Sequence, residues 1–279
     1  MRWLVWLLAL LLVGLAVWLP TRVHQPELEL TDTTAQVSWE VPQVPLVTDV
    51  PDFSIYTDVR EKKEAFFRFL APLVQVENSI IELERRYVLF IQDKIQKGES
   101  LTPKQRKQFQ TIAQRYQVDL DRNNMAGTFT VLLRRIDVVP VTLVLVQAAN
   151  ESGWGTSRFA REGLNFFGQW CFSKGCGLVP DARVEGMTHE VRKFASVNAS
   201  VRSYLRNINT HPAYFELRRL REAQRASNKE LRALDLTPGL LSYSERGEDY
   251  MNELNLMIRV NRPIIVDMLQ PPNSDSAPE

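Results

Sequence analysis

A single carboxylate, Glu151, closes an apolar run that extends from Val138 to Ala149, and Ser152, Gly153, Trp154 and Gly155 follow it directly. The segment Val141-Thr142-Leu143-Val144-Leu145-Val146 is apolar on nearly all sides, so the element it forms is buried and carries Glu151 to the edge of the core. Burial beside aromatic surface disfavours the charged form of a carboxyl group and raises its pKa. An acid that keeps its proton near neutral pH can give it to a leaving oxygen, which is general acid chemistry. The two glycines can take positive φ and bring backbone close to a ligand. A glutamate that only caps or pairs at a helix end is the competing reading, but a negative charge at a helix C-terminus opposes the macrodipole.

The other reactive side chains narrow the chemistry. His24, His189 and His211 are the three histidines, far apart and never at i, i+4, so no metal site is expected, and no cofactor. Cys171 and Cys176 fall in CFSKGC. They can pair in an oxidising compartment or stay as half-buried thiols, and two alone cannot complete a tetrahedral zinc site. Net charge is +1, from 34 basic and 33 acidic side chains, so no nucleic-acid partner is expected. With 44% apolar and 24% charged residues, the 279-residue chain has ordinary globular composition and enough length for one sizeable core.

The elements that must position Glu151 read as mainly helical. From Asp58 onward Phe66, Phe69, Leu70, Leu73 and Val74, then Ile80, Ile81, Val88, Ile91 and Ile95, recur at three and four residues, the face of one long helix that Pro72 can kink and Gly98 ends. Thr102-Pro103 starts a second helix, a cap followed by proline at the first helical position. A third is expected over Thr128 to Ile136, and Pro140 opens the buried run that leads to Glu151. Arg183-Val184-Glu185 and Glu190 to Phe194 alternate around Gly186 to His189, which predicts a small β-hairpin. Helical periods resume over Asn198 to Ile208, Pro212 to about Ala226, Lys229 to Leu234 and Glu245 to Ile258.

The ends differ from this middle. Arg2 precedes the uncharged, apolar stretch Trp3 to Leu19, and Ala16-Val17-Trp18-Leu19-Pro20 lacks the small-residue pattern of a cleavage site. Residues 1–20 are therefore read as a signal-anchor, a transmembrane helix that puts the rest of the chain outside the cytoplasm. Residues 21–51, with several prolines and little helical period, read as an extended tether with a short strand at Val37 to Val41, and 270–279 as a disordered tail.

Ala149-Asn150-Glu151-Ser152-Gly153-Trp154-Gly155, followed by Asn165-Phe166-Phe167-Gly168, by Phe194 and by NINTHPAY ending at Tyr214, resembles the bacterial β-N-acetylglucosaminidases of the flagellar-autolysin type, and most of all their membrane-anchored Bax-type branch in Gram-negative bacteria. The resemblance covers about Asp52 to Leu269. It implies a lysozyme-like helical domain over 52–269 with a small β-lobe, held in the inner membrane through residues 3–19 and facing the periplasm, and cleavage of the β-1,4 bond after N-acetylglucosamine in peptidoglycan glycan strands. Glu151 matches the family's general acid. The second carboxylate belongs on the β-lobe, where Glu185 fits best and Glu190 and Asp181 compete; it would activate water or stabilise oxocarbenium charge, unless the substrate's own N-acetyl group is the nucleophile. Tyr214 matches a family tyrosine. Trp154, Phe167 and Trp170 stand where sugars could stack or where the core could claim them, and Asn165 could hold an acetamido group or cap its loop. Val197 replaces a common tyrosine, and CFSKGCGLVP replaces a commoner lysine-containing loop. Oligomeric state is not legible. A lytic transglycosylase or a silent peptidoglycan-binding scaffold are the alternative functions.

Overall fold

The computed structural model describes residues 44–181, 183 and 186–269. The expected anchor, most of the tether with its short strand, the tail and Glu185 lie outside the described residues. The described part is mainly helical with one small antiparallel sheet, consistent with a lysozyme-like fold. Among the described residues no helix is long and apolar enough to cross a membrane.

Helix α1 (Val59–Gln96) is the spine. Asp58 caps it by accepting the Glu61 N–H at 2.8 Å, and Pro72 lies inside it without ending it. Its buried stripe includes Phe66, Leu70, Val74, Ile81, Val88 and Ile91, the period expected of it. Helix α2 (Pro103–Arg115) begins in a reciprocal capping box between Thr102 and Gln105. Helix α3 (Met125–Arg135) starts before Thr128 because Asn124 caps it, accepting the Gly127 N–H at 3.0 Å.

Helix α4 (Val141–Ser152) is the buried run, packed between α1 and the last long helix, α9 (Glu248–Leu269). No side chain caps its first turn; instead Asn78 of α1 exchanges hydrogen bonds of 2.8 and 3.2 Å with the Val139 backbone just before it. Gly153, at φ 57°, ends it in the left-handed region, and the Trp154 N–H returns to the Ala149 carbonyl at 2.8 Å. Helix α5 (Arg158–Gly163) follows, capped by Ser157.

The sheet consists of β1 (Trp170–Cys171), β2 (Gly177–Leu178) and β3 (Glu190–Arg192) in the order β1-β3-β2. Of the expected hairpin, the second strand is β3, and most of the first, over 183–185, lies outside the described residues. Val191 faces Trp170 of β1 on one side and Leu178 of β2 on the other. Alternation in a sequence marks a strand but not its partner.

Helix α6 (Val197–Thr210) starts at the Ser196 cap. Val47, in the expected tether, donates to Asn198 Oδ1 at 2.9 Å and accepts the Val197 N–H at 2.8 Å, so the folded part reaches back beyond Pro51. A 3-10 turn over Pro212–Tyr214 leads into α7 (Phe215–Ala226). The helix expected from Lys229 begins only at α8 (Ala233–Leu236), followed by a 3-10 turn over Thr237–Leu240. Arg221 of α7 is fully buried and donates to the Arg134, Asp137 and Val138 carbonyls and to Asn209, while Arg225 grips Asp137 through two nitrogens. These bonds fix the turn between α3 and α4, and with it the line along which α4 delivers Glu151.

Candidate active site

Glu151 lies half-buried in the last turn of α4. Its Oε1 accepts a 3.0 Å hydrogen bond from the Tyr250 hydroxyl of α9. That hydroxyl accepts from Gln147 Nε2 at 3.0 Å, and Gln147 Oε1 accepts from the Tyr204 hydroxyl of α6. Gln147 stands one turn before Glu151 on the same face of α4 and is fully buried, so an apolar helix carries two polar groups in register. Tyr243 stacks on Tyr250, with centroids 5.5 Å apart at 12°, and donates to the Phe167 carbonyl at 3.2 Å. Tyr214 lies 6.0 Å from Tyr243. Three helices and the Phe167 loop thus meet on a patch of tyrosines beside one carboxyl group.

Burial pushes the Glu151 pKa above the ordinary carboxylate value, and Glu253 adds to the rise. The hydrogen bond from Tyr250, a bond with Asn150 and the charge of Arg246 pull the other way without reversing it. Burial, then the Glu151 charge, also pushes the Tyr250 hydroxyl up, so it stays a donor. A carboxyl group whose pKa is raised is better suited to giving its proton to an oxygen that needs one.

The loop facing Glu151 is built by Asn165. Its amide nitrogen donates to the Gln169 and Arg192 carbonyls, both at 2.9 Å, and its oxygen accepts the Phe167 and Gln169 N–H groups at 3.2 and 3.1 Å. With 1% exposure and both ends of its amide in use, Asn165 shapes the loop and has no donor left for a sugar. The loop brings Gly168, at φ +63°, against the acid, where a Cβ would lie 3.6 Å from Glu151 Oε2.

The remaining expected site residues divide between core and surface. Phe167 is buried and stacked on Tyr204 at 4.1 Å, which removes it as a platform for a sugar ring. Trp154 is half-buried and packs edge-on against Phe66 and Phe67 of α1, with Lys63 over its ring, so it anchors the turn after α4. Tyr214 is buried within the tyrosine patch. Trp170 is 52% exposed, its ring stacked on His189 at 4.2 Å, and among the described residues it is the exposed indole. Glu190 is turned into the β-lobe, accepting the Gly175 and Gly177 N–H groups at 2.9 and 2.8 Å; these bonds hold its pKa below the ordinary range. Asp181 is exposed and pairs with Arg158 at 3.1 Å. A disulfide joins Cys171 to Cys176, arching the loop over Glu190. Among the described residues those two sulfurs and Glu190 form the one grouping with metal-ligating atoms, and sulfurs bonded to each other are not thiolate ligands.

Sequence reasoning missed Gln147, Tyr204, Tyr243 and Tyr250. One signal was available: Gln147 interrupts the apolar run four residues before Glu151, and a polar side chain there has to share that face. Tyr243 and Tyr250 lie in the stretch SYSERGEDY, Tyr243 before α9 and Tyr250 in its first turn, and nothing local says that they meet α4.

The glucosaminidase family, described as mannosyl-glycoprotein endo-beta-N-acetylglucosaminidase, matches residues 126–261, a span that takes in Glu151, Gly168 and Tyr250. The chain is 34% identical over 218 residues to Protein bax of Escherichia coli (strain K12), covering 78% of this chain and 76% of that protein. No solved structure matches it. The chain therefore belongs to the glucosaminidase family, in its Bax-type branch, as a glycoside hydrolase of the endo-β-N-acetylglucosaminidase kind.

Proposed function

We propose that the protein hydrolyses the β-1,4 bond after N-acetylglucosamine in peptidoglycan, with Glu151 as general acid. The observation that carries this reading is the setting of Glu151, a carboxyl group at the end of a buried helix whose pKa burial raises, with the Tyr250 hydroxyl fixing one oxygen and a glycine in front of the other. In the proposed reaction Glu151 protonates the leaving oxygen as the glycosidic bond lengthens, and a second carboxylate on the β-lobe activates water or faces the oxocarbenium charge. We assign that second role to Glu185, which lies 34 positions after Glu151. The engagement of Glu190 by two backbone N–H groups and of Asp181 by Arg158 leaves both less suited to it. Trp170 supplies a stacking face, and Tyr214, buried against Tyr243, supports the tyrosine patch beside Glu151.

The same reading places the enzyme in the inner membrane through residues 3–19, with the catalytic part in the periplasm. It is supported by the uncharged run after Arg2 and by a cysteine pair bonded as in an oxidising compartment.

Mass spectrometry of purified peptidoglycan digested by the full chain tests the proposal. Fragments with a reducing N-acetylglucosamine end are expected. An anhydro-muramic end would mean a lytic transglycosylase, and undigested strands that still bind the chain would mean a scaffold; either would overturn it.

A further inference from the structure

A second polar site lies on the far side of α6. Tyr204 of that helix joins the network at Glu151, whereas Arg202, Leu205 and Arg206 line a cavity of about 240 Å³ between α6, α1 and the end of α2. Two glutamates of α1 face it, and both are buried, Glu77 at 2% and Glu84 at 4% exposure. Each is neutralised. Arg202 grips Glu77 through two hydrogen bonds of 2.8 Å, and Arg115 pairs with Glu84, which also accepts the Tyr116 hydroxyl at 2.7 Å. Arg206, one turn beyond Arg202, has no carboxylate within ion-pairing distance among the described residues.

The lining therefore carries one positive charge in excess, beside an apolar floor of Ile80, Ile81 and Leu205. Burial, and after it the charges of Arg206 and Arg202, push the Arg115 pKa down, as guanidinium groups crowded around one space would. An arginine so placed gains from an anion, and its planar fork fits a carboxylate through two hydrogen bonds. A dianion would overbalance the single spare charge and meet Glu77 and Glu84.

We propose that this cavity is a binding site for a carboxylate on a short apolar residue, either a free acylated amino acid or the C-terminus of a peptide, with Arg206 receiving the carboxylate and Ile80, Ile81 and Leu205 the side chain. The site is separate from the one at Glu151, which takes no part in its lining.

Calorimetric titration of the full chain with N-acetylalanine, with acetyl-trialanine bearing a free C-terminus, with N-acetylalaninamide and with inorganic phosphate tests this. Both carboxylates are expected to bind and the amide is not. Equal affinity of the two would identify the terminal residue as the recognised unit, and tighter binding of the trialanine a peptide end. Arg206→Ala should weaken binding about tenfold or more, Arg206→Lys should restore part of it, and the melting temperature without ligand should not move because Arg206 is exposed. Glu151→Gln should bind as the wild type does, which keeps this test apart from the fate of the hydrolase assignment. Absence of binding by both carboxylates at about 10 mM, equal binding of the amide, tighter binding of phosphate, or unchanged affinity in Arg206→Ala would each overturn the proposal.

Discussion

Gly168 faces the acid: a Cβ placed on it would stand 3.6 Å from Glu151 Oε2. That contact is an ordinary one, so a methyl group fits beside the carboxyl, but under the proposed reaction it would occupy the approach of the leaving oxygen. Gly168 also holds φ +63°, where an L side chain costs about 1–2 kcal/mol. Gly168→Ala should therefore lower stability by about that amount and kcat/KM by about tenfold to a hundredfold, and Gly168→Val should lose activity outright. Turnover of the alanine variant at the wild-type rate would show that substrate does not pass between the loop and the acid.

Replacement of Glu151 by glutamine keeps shape and the bond from Tyr250 while removing the proton. Turnover should fall by about 10²–10⁴-fold. Stability should shift with pH in a direction set by the raised pKa of the folded state. The native protein holds the Glu151 proton more tightly than the unfolded chain, so wild-type stability declines as pH climbs from the ordinary carboxylate value through the raised one. Glu151→Gln should not show that decline, which thermal melts across the pH range would reveal.

The Tyr250 hydroxyl stabilises the charged form of Glu151 and so lowers a pKa that burial raises. Tyr250→Phe should shift the alkaline limb of the kcat/KM profile to higher pH, and Glu253→Gln, which removes a repelling charge, should shift it to lower pH. The phenylalanine variant also strands Gln147 Nε2, at a stability cost of about 1–3 kcal/mol. Limbs that move the opposite way, or not at all, would mean that Glu151 does not set this limb.

The contrast between Glu151 and Tyr250 shows where sequence legibility ends. The place of Glu151 at the end of a buried element was readable because its evidence is local: an apolar run, a carboxylate and two glycines in one stretch, the first of which, at positive φ, ends α4. The long period of α1 and the cap of α2 were readable for the same reason. Tyr250 is 99 positions away, and its meeting with Glu151 depends on how α9 packs on α4, which no spacing encodes. The β-lobe was legible as a small sheet, but its other strands, β1 and β2, were not. Glu190 to Arg192 was legible as a strand, but its neighbours are set by a loop that doubles back through Cys171 and Cys176. Asn165 and Phe167 are residue types that serve sugars and cores alike, and only burial separates the two uses.

That lobe is fastened twice, and the two fastenings respond to different conditions. The disulfide joins residues five apart, so it removes little unfolded-chain entropy and its gain lies at the low end of the roughly 0–5 kcal/mol range. Glu190 holds the same loop through the Gly175 and Gly177 N–H groups, which depress its pKa. Stability from a depressed carboxylate is present above its unfolded pKa and is lost as pH falls through the folded value. At neutral pH, reduction should then leave Glu190 in charge of the loop, shifting the melting temperature little and, if the exposed Trp170 ring beside Cys171 stacks on substrate as proposed, raising KM. In Glu190→Gln, or at a pH low enough to protonate Glu190, reduction should free the loop and raise KM much further. Measuring KM with and without reductant, in both proteins and at both pH values, checks this; identical effects of reduction in wild type and Glu190→Gln would show that the two fastenings do not share one loop.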